Sequence, residues 1–449
     1  MGTTDNIIKT RFAPSPTGEL HIGGLRTALY SYALAKHSDG VFILRIEDTD
    51  KKREVEGSKD RIKKTLELFG LTWDEYYEQS QRAKDNVYKT IAEKMVKDKH
   101  AFYCDCKAKN AKDEGYSKEL RDPCRDKNLT GGAIKVRIPE DETVEFTDYV
   151  LGKKVSWKTN DVADTTILKS DSFPTYHLAV VVDDNKMGIT HALRGHDWMP
   201  STPIHLLIYK YLKYDRPQIG HLTDILDPDG GKLSKRKGST TVEGLLSEGY
   251  LSDAILNFVM LLGWAPKDNK ELYTLDEFVK VFSADGLQKS NPVYNIDKLT
   301  WFSGECIRKL DDGSLTDKIV GFYKNKYPKE EVAKITPLVK DRARTLKDFE
   351  SLAGFFFEEK DIDEGLLEKD YETHLKEAYL ILELVDSWDK DNIDKALLKL
   401  IEEKEFKTGK FFMNLRIAIT GSKVTPPINE SLVILGKKDT LNKLSRFNK

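Results

Sequence analysis

The fold of the N-terminal half is decided by residues 7–46, which read IIKTRFAPSPTGELHIGGLRTALYSYALAKHSDGVFILRI. Ile7–Phe12 is a strand candidate that ends in a turn rich in proline and glycine. The spacing of apolar residues predicts a helix over about Gly23–His37, and Val41–Ile46 has the length and apolar character of a buried parallel strand. Strand, helix and strand in so short a stretch predict a right-handed βαβ unit.

A long polar stretch, residues 77–192, interrupts this alternation of strands and helices. It contains the strand candidates Ala133–Ile138 and His177–Val182. A strand at Ile189–Leu193 and a helix over Ile204–Tyr211 then restore the pattern. We therefore interpret the polar stretch as an α+β insertion in a doubly wound, Rossmann-like α/β domain with a parallel sheet.

The C-terminal part of the chain has a different character. From about Gly321 onward amphipathic helices follow one another, among them Thr345–Phe357 and Tyr371–Val385. This part is predicted to be all-α. The predicted division of the chain is residues 1–76 and 193–265 for the Rossmann-like domain, 77–192 for the insertion, 266–320 for a linker and 321–449 for the helical region.

The composition limits the classes of protein to consider. A chain of 449 residues, 39% hydrophobic and 33% charged, has enough apolar residues for about two to four cored domains. No run approaches the roughly 18 apolar residues of a membrane span, and the start lacks the features of a signal peptide. Four cysteines do not make a disulfide framework and fit a reducing cytoplasm. With a formal net charge of −2, any surface for nucleic acid must be local.

Two motifs have the chemistry to bind a nucleotide. His21, Gly23 and Gly24 stand where the first turn leads into a helix, whose free N–H groups and positive dipole attract phosphate. The basic run Lys232–Lys237 suits a pyrophosphate, on which negative charge develops as the bond between the α- and β-phosphates breaks. Each has a simpler explanation, which is tight packing for the glycines and a solvated surface turn for the lysines.

Taken together, several stretches resemble the class I aminoacyl-tRNA synthetases of the glutamate type. They are, in chain order, Arg11–Gly18, His21–Gly24, Arg45–Asp50, Tyr176–Asp184, Leu193–Gly195 and Lys232–Arg236. The second stretch corresponds to the HIGH motif of the class and the last to its KMSKS motif. The order and separation of the motifs make the resemblance specific, and it runs from about residue 8 to the C-terminus.

The resemblance implies ATP-dependent ligation of L-glutamate to tRNA(Glu). The α-carboxylate of glutamate attacks the α-phosphorus of ATP, bound with Mg²⁺, and the acyl group of the glutamyl-adenylate then passes to the 2′-hydroxyl of the terminal adenosine. The implied ATP-binding residues are Gly18, His21, Gly23, Gly24, Trp198, Lys232, Ser234, Lys235 and Arg236. Of these, His21, Lys232 and Lys235 are the implied catalytic residues, because they carry the polar groups that act on the triphosphate.

A pocket for glutamate is implied as well. Its residues are Arg11, Ser15, Glu47, Tyr176 and Arg194. Arg11 would pair with the γ-carboxylate, while Ser15 and Glu47 would hold the head group, with Glu47 facing the ammonium. Taken singly, each has a structural alternative: Glu47 as a helix cap, Arg194 as an ordinary ion pair, and Tyr176 as a core residue.

Two positions depart from the family pattern. Gly24 replaces the last histidine of the HIGH motif, as is common in the glutamate branch. Val180 replaces an asparagine that contacts the substrate in some members, and valine cannot make that hydrogen bond. The second departure puts one substrate contact in question.

Three cysteines of the insertion have the spacing of a structural zinc site. Cys104 and Cys106 are followed by Cys124, and some family members bind zinc here through Cys-x-Cys and a later Cys-x-His. In this chain Asp126 holds the last position, and aspartate can ligate zinc but is less usual in a structural site. Tyr116 is another candidate for the fourth ligand, and three buried cysteines without a metal are the alternative to zinc.

The resemblance also assigns tRNA contacts to regions. Residues 77–192 would bind the acceptor end, 266–320 would contact the stem, and 321–449 would bind the anticodon. Glutaminyl enzymes carry β-barrels at that end, and glutamyl-queuosine tRNA-modifying enzymes lack it. The expected protein is a cytoplasmic monomer that binds L-glutamate, ATP and tRNA(Glu) and no membrane. A small-molecule nucleotidyltransferase would leave residues 245–449 unexplained, and the intact His21 argues against a catalytically silent tRNA-binding protein.

Overall fold

The structure is a computed structural model that describes residues 7–106, 120–233 and 240–447. Its strands, in chain order, are β1 (Lys9–Phe12), β2 (Val41–Ile46), β3 (Glu75–Glu78), β4 (Ala101–Cys104), β5 (Ala133–Val136), β6 (Thr143–Thr147), β7 (Lys154–Lys158), β8 (Thr166–Leu168), β9 (His191–Gly195) and β10 (Gln218–Leu222). Its α-helices are α1 (Ile22–Lys36), α2 (Ser58–Leu68), α3 (Gln79–Lys84), α4 (Val87–Lys97), α5 (Tyr176–Lys186), α6 (Thr202–Leu212), α7 (Val242–Ser247), α8 (Ser252–Met260), α9 (Leu275–Val281), α10 (Ile296–Lys309), α11 (Asp312–Phe322), α12 (Lys329–Val339), α13 (Asp348–Ala353), α14 (Tyr371–Glu383), α15 (Lys390–Glu403), α16 (Thr408–Thr420) and α17 (Ile428–Ser445).

The chain forms two compact units. The first comprises Met1–Gly244 and Leu256–Asn295, and the second comprises Leu245–Ile255 and Ile296–Lys449. Every strand that the structure describes lies in the first unit. The finer division into four regions stays a prediction. Among the helices that the structure describes, none combines the length and the apolar character needed to cross a membrane.

The first unit is built on a parallel sheet. β2 pairs in parallel with β1 on one side and with β3 on the other, and β9 pairs in parallel with β10. Thr190, just before β9, donates its N–H to the carbonyl oxygen of Lys9 at 2.9 Å, which sets β9 beside β1. The two parallel sheets, β1-β2-β3 and β9-β10, thus meet where β1 and β9 lie side by side, and with the connecting helices they confirm the predicted doubly wound α/β fold.

Burial explains why Val41–Ile46 forms the central strand. All of its residues after Val41 are buried, so the run faces protein on both sides of the sheet. Helix α1 begins at Ile22, one residue before the predicted start, and completely buries Leu25 and Leu29. Arg45 is the exception in β2, because a charged side chain with 0% exposure stands in an otherwise apolar strand. A buried charge of this kind needs buried partners of opposite charge, and these partners lie on the side of the sheet that Arg45 faces.

The chain between β3 and β9 forms an antiparallel sheet of order β4-β5-β8 and a separate hairpin, β6-β7. Strand β5 confirms the prediction for Ala133–Ile138. The strand predicted at His177–Val182 is wrong, because these residues lie in helix α5. Every residue of Leu178–Asp184 is buried, so the segment has no polar face. A short apolar run without a polar face cannot be assigned to helix or strand by periodicity alone.

All regular secondary structure described in the second unit is helical, as predicted. Helices α14, α15, α16 and α17 share an apolar core that includes Leu375, Leu397 and Leu415. The helix predicted over Thr345–Phe357 is shorter in the structure. The carboxylate of Asp348 accepts two backbone N–H groups from the residues before it, and α13 begins at that residue.

Candidate active site

A cavity of about 410 Å³ lies at the carboxyl ends of β9 and β10. Gly195 ends β9, Leu222 ends β10, and both line it. Its opposite wall is the start of α1, where His21, Gly23 and Gly24 line the same space. Open α/β sheets bind ligands at this edge, and a helix that begins here directs N–H groups and positive dipole toward an anion. The cavity therefore has the position and chemistry of a phosphate site.

The described residues on either side of the segment 234–239 reach this cavity. Lys232 and Leu233, before that segment, and Thr240, after it, line the cavity together with His21. The Ile22 N–H donates to the carbonyl oxygen of Thr240 at 3.1 Å, which ties Thr240 to the start of α1. The predicted residues Ser234, Lys235 and Arg236 lie outside the described residues.

Lys232 is held by two carboxylates at the cavity wall. Its ammonium pairs with Asp197 and, at 3.0 Å, with Asp224. Burial alone would lower the pKa of Lys232, but its hydrogen bonds to Asp197 and Asp224 outweigh burial and raise the pKa. Lys232 therefore stays charged, and the two ion pairs fix its side chain at the cavity wall.

Glycine is required at positions 24 and 18 for different structural reasons. A Cβ atom on Gly24 would stand 2.7 Å from Cδ1 of Leu20, so the turn leaves little room for a side chain. Gly18 has a φ of 137°, which side chains rarely allow, and its carbonyl oxygen accepts the hydroxyl of Ser58 at 2.7 Å. Gly18 thus shapes the turn before α1. The described cavity wall includes Gly23 and Gly24 but not Gly18.

A second group of charges is buried around Arg45. Arg45 Nη1 donates to Asp184 Oδ1 at 2.7 Å, and its Nη2 donates to Glu47 Oε1 at 3.1 Å. Arg11 Nε also donates to Asp184 Oδ1, at 3.1 Å, and Arg11 Nη1 donates to the carbonyl oxygen of Leu193 at 2.9 Å. These contacts place the predicted residues Arg11 and Glu47 in one buried network.

Ser15 is brought to the same side by the backbone. The Glu47 N–H donates to the carbonyl oxygen of Pro14 at 2.9 Å, so the turn that carries Ser15 is fastened to the end of β2. The side chain of Ser15 is exposed, and that of Glu47 is 8% exposed. The pair therefore offers a hydroxyl and a carboxylate at one edge of the buried network.

Glu47 has an unusual protonation equilibrium. Burial raises the pKa of its carboxyl to about 7, although the charges of Arg45 and Arg11 and the hydrogen bond from Arg45 oppose the shift. The carboxylate is therefore poorly stabilised by the protein alone. A bound cation would stabilise it, because an opposite charge nearby favours the ionised form.

Arg194 completes the predicted set from the end of β9. Its Nη1 lies 3.4 Å from the hydroxyl of Tyr176, whose ring packs against Trp198 with centroids 4.0 Å apart. Trp198 is 40% exposed, so part of its side chain is accessible to a ligand. Arg194 and Arg11 also line one narrow cavity with Val180. Arg194 precedes Gly195, which lines the larger cavity, so the two spaces are neighbours.

The cysteine cluster gathers three thiols and one carboxylate. The ligand atoms of Cys104, Cys106, Cys124 and Asp122 all lie within 4.8 Å of one another. The structure brings Asp122 into this group instead of the predicted Asp126, whose side chain is 91% exposed and pairs with Arg137 at 3.3 Å. Asp122 immediately precedes the 3₁₀ turn Pro123–Asp126 and accepts the Cys124 N–H at 2.8 Å, which directs its carboxylate toward the sulfurs.

This group fits a tetrahedral metal ion. With metal–sulfur bonds of about 2.3 Å, two sulfurs in a tetrahedral site stand about 3.8 Å apart. Cys106 Sγ and Cys124 Sγ are 3.5 Å apart, and Cys104 Sγ is 3.6 Å from Asp122 Oδ2. Asp122 Oδ2 also accepts from Lys135 Nζ at 2.6 Å, a contact of the kind that orients a metal ligand. The other candidate, Tyr116, lies outside the described residues.

Comparison with known families agrees with this geometry. Residues 7–301 match the catalytic domain of the class I tRNA synthetases for glutamate and glutamine, described as "tRNA synthetases class I (E and Q), catalytic domain". The chain belongs to this family. Residues 312–448 of the synthetase match an anticodon binding domain. A single-domain nucleotidyltransferase would not account for that second match.

Relatives of the synthetase extend along nearly the whole chain. Glutamate–tRNA ligase of Dehalococcoides mccartyi is 36% identical over 98% of this chain and 97% of that protein. Glutamate–tRNA ligase 2 of Thermoanaerobacter pseudethanolicus is 35% identical over 98% of this chain and 97% of its own. A crystal structure of a glutamate tRNA ligase from Elizabethkingia meningosepticum, in complex with its amino acid, gives a TM-score of 0.84 at 31% identity, covering 98% and 99% of the two chains.

Sequence reasoning missed several residues of the site. Asp184 lies inside the quoted stretch Tyr176–Asp184, and Arg45 begins the stretch Arg45–Asp50, so the motifs contained them without indicating a role. His205 and His221, which contact Arg194, and Asp148, which contacts His221, lie outside every motif. Only their burial and contacts identify them, because each stands on a different segment of the chain.

Proposed function

We propose that this synthetase ligates L-glutamate to tRNA(Glu) through a glutamyl-adenylate. The observation that carries the proposal is the adjacency, at the end of β9, of two spaces of different chemistry. One is the cavity lined by His21 and the ends of the lysine loop, and the other is a buried group of arginines and carboxylates. The first suits a nucleoside triphosphate and the second suits an acidic amino acid.

In the first step the α-carboxylate of glutamate attacks the α-phosphorus of ATP, and pyrophosphate leaves. His21 and the start of α1 stabilise the phosphate charge from one wall of the cavity, while Lys235, three residues after Lys232 in the sequence, acts on the pyrophosphate. The reaction needs no covalent enzyme intermediate, so the protein contributes position and charge. ATP enters with Mg²⁺, which neutralises phosphate charge when bound. In the second step the acyl group passes from the adenylate to the 2′-hydroxyl of the terminal adenosine of the tRNA, and AMP leaves.

The charge balance of the amino-acid pocket selects glutamate. Arg11 and Arg45 pair with Asp184, and Arg45 also pairs with Glu47, whereas Arg194 forms no ion pair with a carboxylate among the described residues, which leaves one positive charge without a direct partner when Glu47 is ionised. Glutamate carries one net negative charge at neutral pH and cancels that excess. Glutamine is neutral overall and would leave a buried charge without compensation, which costs several kcal/mol.

Each substrate group has a proposed partner. Arg11 pairs with the γ-carboxylate, Glu47 and Ser15 bind the ammonium, and Arg194 with Tyr176 completes the pocket. Burial raises the pKa of Tyr176, and the charges of Arg194, Glu47 and Arg11 all act on it, which agrees with convergence of the four side chains. The phenol is therefore protonated and donates a hydrogen bond to a substrate oxygen.

Aminoacylation with labelled amino acids tests the proposal. Purified tRNA(Glu) and tRNA(Gln) are incubated separately with the synthetase, ATP and labelled glutamate. Glutamine in place of glutamate and omission of ATP are the controls. We expect glutamate to be attached to tRNA(Glu) only when ATP is present. Attachment of glutamine at an equal rate would contradict the charge argument, and attachment without ATP would contradict the adenylate.

We further propose that Cys104, Cys106, Cys124 and Asp122 hold a structural zinc ion. Burial raises the pKa of the Cys104 thiol to about 12, so the metal must displace protons when it binds. Zinc would join β4 to the turn after residue 120 and support the part of the chain proposed to receive the tRNA acceptor end. Metal analysis of protein purified without chelators should give about one zinc per chain. Less than about a tenth of an equivalent would contradict the site.

The tRNA contacts are proposed by region. Residues 77–192 receive the acceptor end, 266–320 contact the stem, and 321–449 bind the anticodon. The synthetase is proposed to act as a cytoplasmic monomer, a setting that suits the free thiols of its described cysteines. Light scattering after gel filtration should give a mass near 51.3 kDa. A mass twice as large would contradict the monomer.

A further inference from the structure

The guanidinium of Arg194 is oriented by neutral side chains. Arg194 is 7% exposed, and it donates to His221 Nε2 at 3.0 Å, to His205 Nδ1 at 3.0 Å and to Thr202 Oγ1 at 2.8 Å. Within residues 7–106, 120–233 and 240–447, no carboxylate forms an ion pair with it. Its position is therefore fixed by hydrogen bonds that leave its charge uncancelled, which suits a group that must bind an anionic substrate.

The contact with His221 requires one particular tautomer. Arginine has only donors, so His221 Nε2 must be unprotonated, and the ring hydrogen must be on Nδ1. Nδ1 donates that hydrogen to Asp148 Oδ2 at 2.6 Å. Burial lowers the pKa of His221 and outweighs the opposing hydrogen bond to Asp148, so the ring is neutral at neutral pH. In both hydrogen bonds the donor is therefore fixed: Arg194 donates to His221, and His221 donates to Asp148.

The orientation of Asp148 is also fixed. Its Oδ1 accepts the backbone N–H groups of Val150 and Leu151, each at 2.9 Å. It also accepts the backbone N–H of His221 at 3.3 Å. Oδ1 must therefore be an acceptor, and Oδ2 is the oxygen that faces the His221 ring. Asp148 and His221 are both 0% exposed, so water cannot replace either contact without a change in packing.

We propose that Asp148 and His221 are positioning residues for the substrate glutamate. Asp148 fixes the tautomer of His221, and His221 fixes the guanidinium of Arg194 toward a substrate carboxylate. This inference rests on the proposed role of Arg194 in binding glutamate. Neither positioning residue touches the substrate, and both act through the same guanidinium.

The substitution Asp148→Asn tests the chain of hydrogen bonds with almost no change in shape. The backbone N–H groups at Oδ1 hold the amide oxygen there, so the NH₂ group takes the place of Oδ2 and faces His221 Nδ1. Nδ1 then becomes an acceptor, the ring hydrogen moves to Nε2, and it opposes the N–H of Arg194 Nε. We expect the KM for glutamate to rise by about tenfold or more, with the KM for ATP changed by less than about twofold.

Asp164→Asn is the matched control. Asp164 is 1% exposed, accepts the N–H groups of Asp122 and Ile138, and pairs with Arg125, but among the described residues it contacts neither His221 nor Arg194. It should leave the KM for glutamate within about twofold of the original value, because its loss does not affect the orientation of Arg194. An equal rise in both variants would mean that the effect of Asp148→Asn is general, and would overturn the inference.

Arg194→Ala separates this inference from the proposed function. If Arg194→Ala does not change the KM for glutamate, the role proposed for Arg194 fails. If Arg194→Ala raises the KM and a folded Asp148→Asn variant does not, only the positioning role fails.

Nitrogen-15 NMR of protein labelled at the histidine ring nitrogens shows directly which nitrogen of His221 carries the hydrogen in the unaltered protein. His221 should show a protonated Nδ1 and an unprotonated Nε2 between about pH 6 and 8, and the opposite tautomer in Asp148→Asn. A protonated Nε2 in the unaltered protein would refute the proposal even if the variant did not fold.

Discussion

Glutamate binding should weaken as the pH falls through about 7, because Glu47 then loses its charge. The pKa of this carboxyl is raised to about 7 by burial, against the opposing effect of Arg45 and Arg11. Above that pH the carboxylate attracts the substrate ammonium, and below it the neutral acid does not. The charge of the substrate changes little in this range, since a free carboxyl titrates near 4.3. Glu47 is therefore the group expected to control the affinity.

The size of the effect follows from the fraction of ionised Glu47. If only the ionised form binds glutamate, the apparent KM is multiplied by about 11 at pH 6, about 2 at pH 7 and about 1.1 at pH 8. The same pKa has the opposite consequence for folding. Because the pKa in the folded protein lies above the ordinary value of 4.5, the contribution of Glu47 to stability is fully present below about 4.5 and is lost as the pH rises through about 7. Glu47→Gln should thus raise the Tm of the free protein at pH 8.

The assay is the KM for glutamate in aminoacylation between pH 6 and 8, with saturating ATP, Mg²⁺ and tRNA. Glu47→Gln is the control, because the glutamine side chain cannot ionise while the titration of ATP is unchanged. This variant should show a higher KM at pH 8 and a nearly constant KM across the range. If the original protein shows a constant KM, or if Glu47→Gln keeps the tenfold rise, Glu47 does not bind the ammonium.

Three further predictions concern stability, rate and metal. Arg45→Met should lower the free energy of unfolding by about 3–5 kcal/mol, because the buried carboxylates of Asp184 and Glu47 lose their shared partner. Thermal or urea denaturation measures this change, and a loss below about 1 kcal/mol would contradict this account. Lys235→Ala should lower the rate of glutamate-dependent aminoacylation by at least about tenfold, and an unchanged rate would remove the lysine loop from the mechanism. Asp122→Asn should reduce bound zinc in metal analysis, whereas Asp126→Asn should not, and the reverse result would restore the ligand set predicted from the sequence.

Features that depend on neighbouring residues in the chain could be predicted from the sequence. The helix after Gly18 and the buried strand of Val41–Ile46 follow from local spacing and apolar character. Likewise, His21, Gly23 and Gly24 stand at the start of a helix whose position was set by the preceding turn. The motif resemblance added their chemistry, and the structure places them on one cavity wall.

Features that depend on distant pairing could not be predicted in the same way. The sequence predicts a strand where helix α5 lies, because the helix is surrounded by protein and its sequence carries no polar stripe. The family spacing points to Asp126 as the fourth ligand, whereas the 3₁₀ turn directs Asp122 to the sulfurs. Asp148 is 73 residues from His221, and no local pattern links the two.

The valine at position 180 shows how the buried charges reduce the importance of any one neutral contact. Val180 is 3% exposed and lines the narrow cavity beside Arg11 and Arg194, so no polar atom of its side chain can serve the substrate there. A neutral hydrogen bond is worth about 0.5–1.5 kcal/mol, whereas hydrogen bonds to charged groups are worth about 1.5–3 kcal/mol. Without an asparagine at position 180, the charged hydrogen bonds of Arg11 and Arg194 would therefore supply most of the affinity for a dicarboxylate. The apolar side chain of Val180 also reduces the access of water to the guanidinium groups, which would strengthen their attraction for a carboxylate.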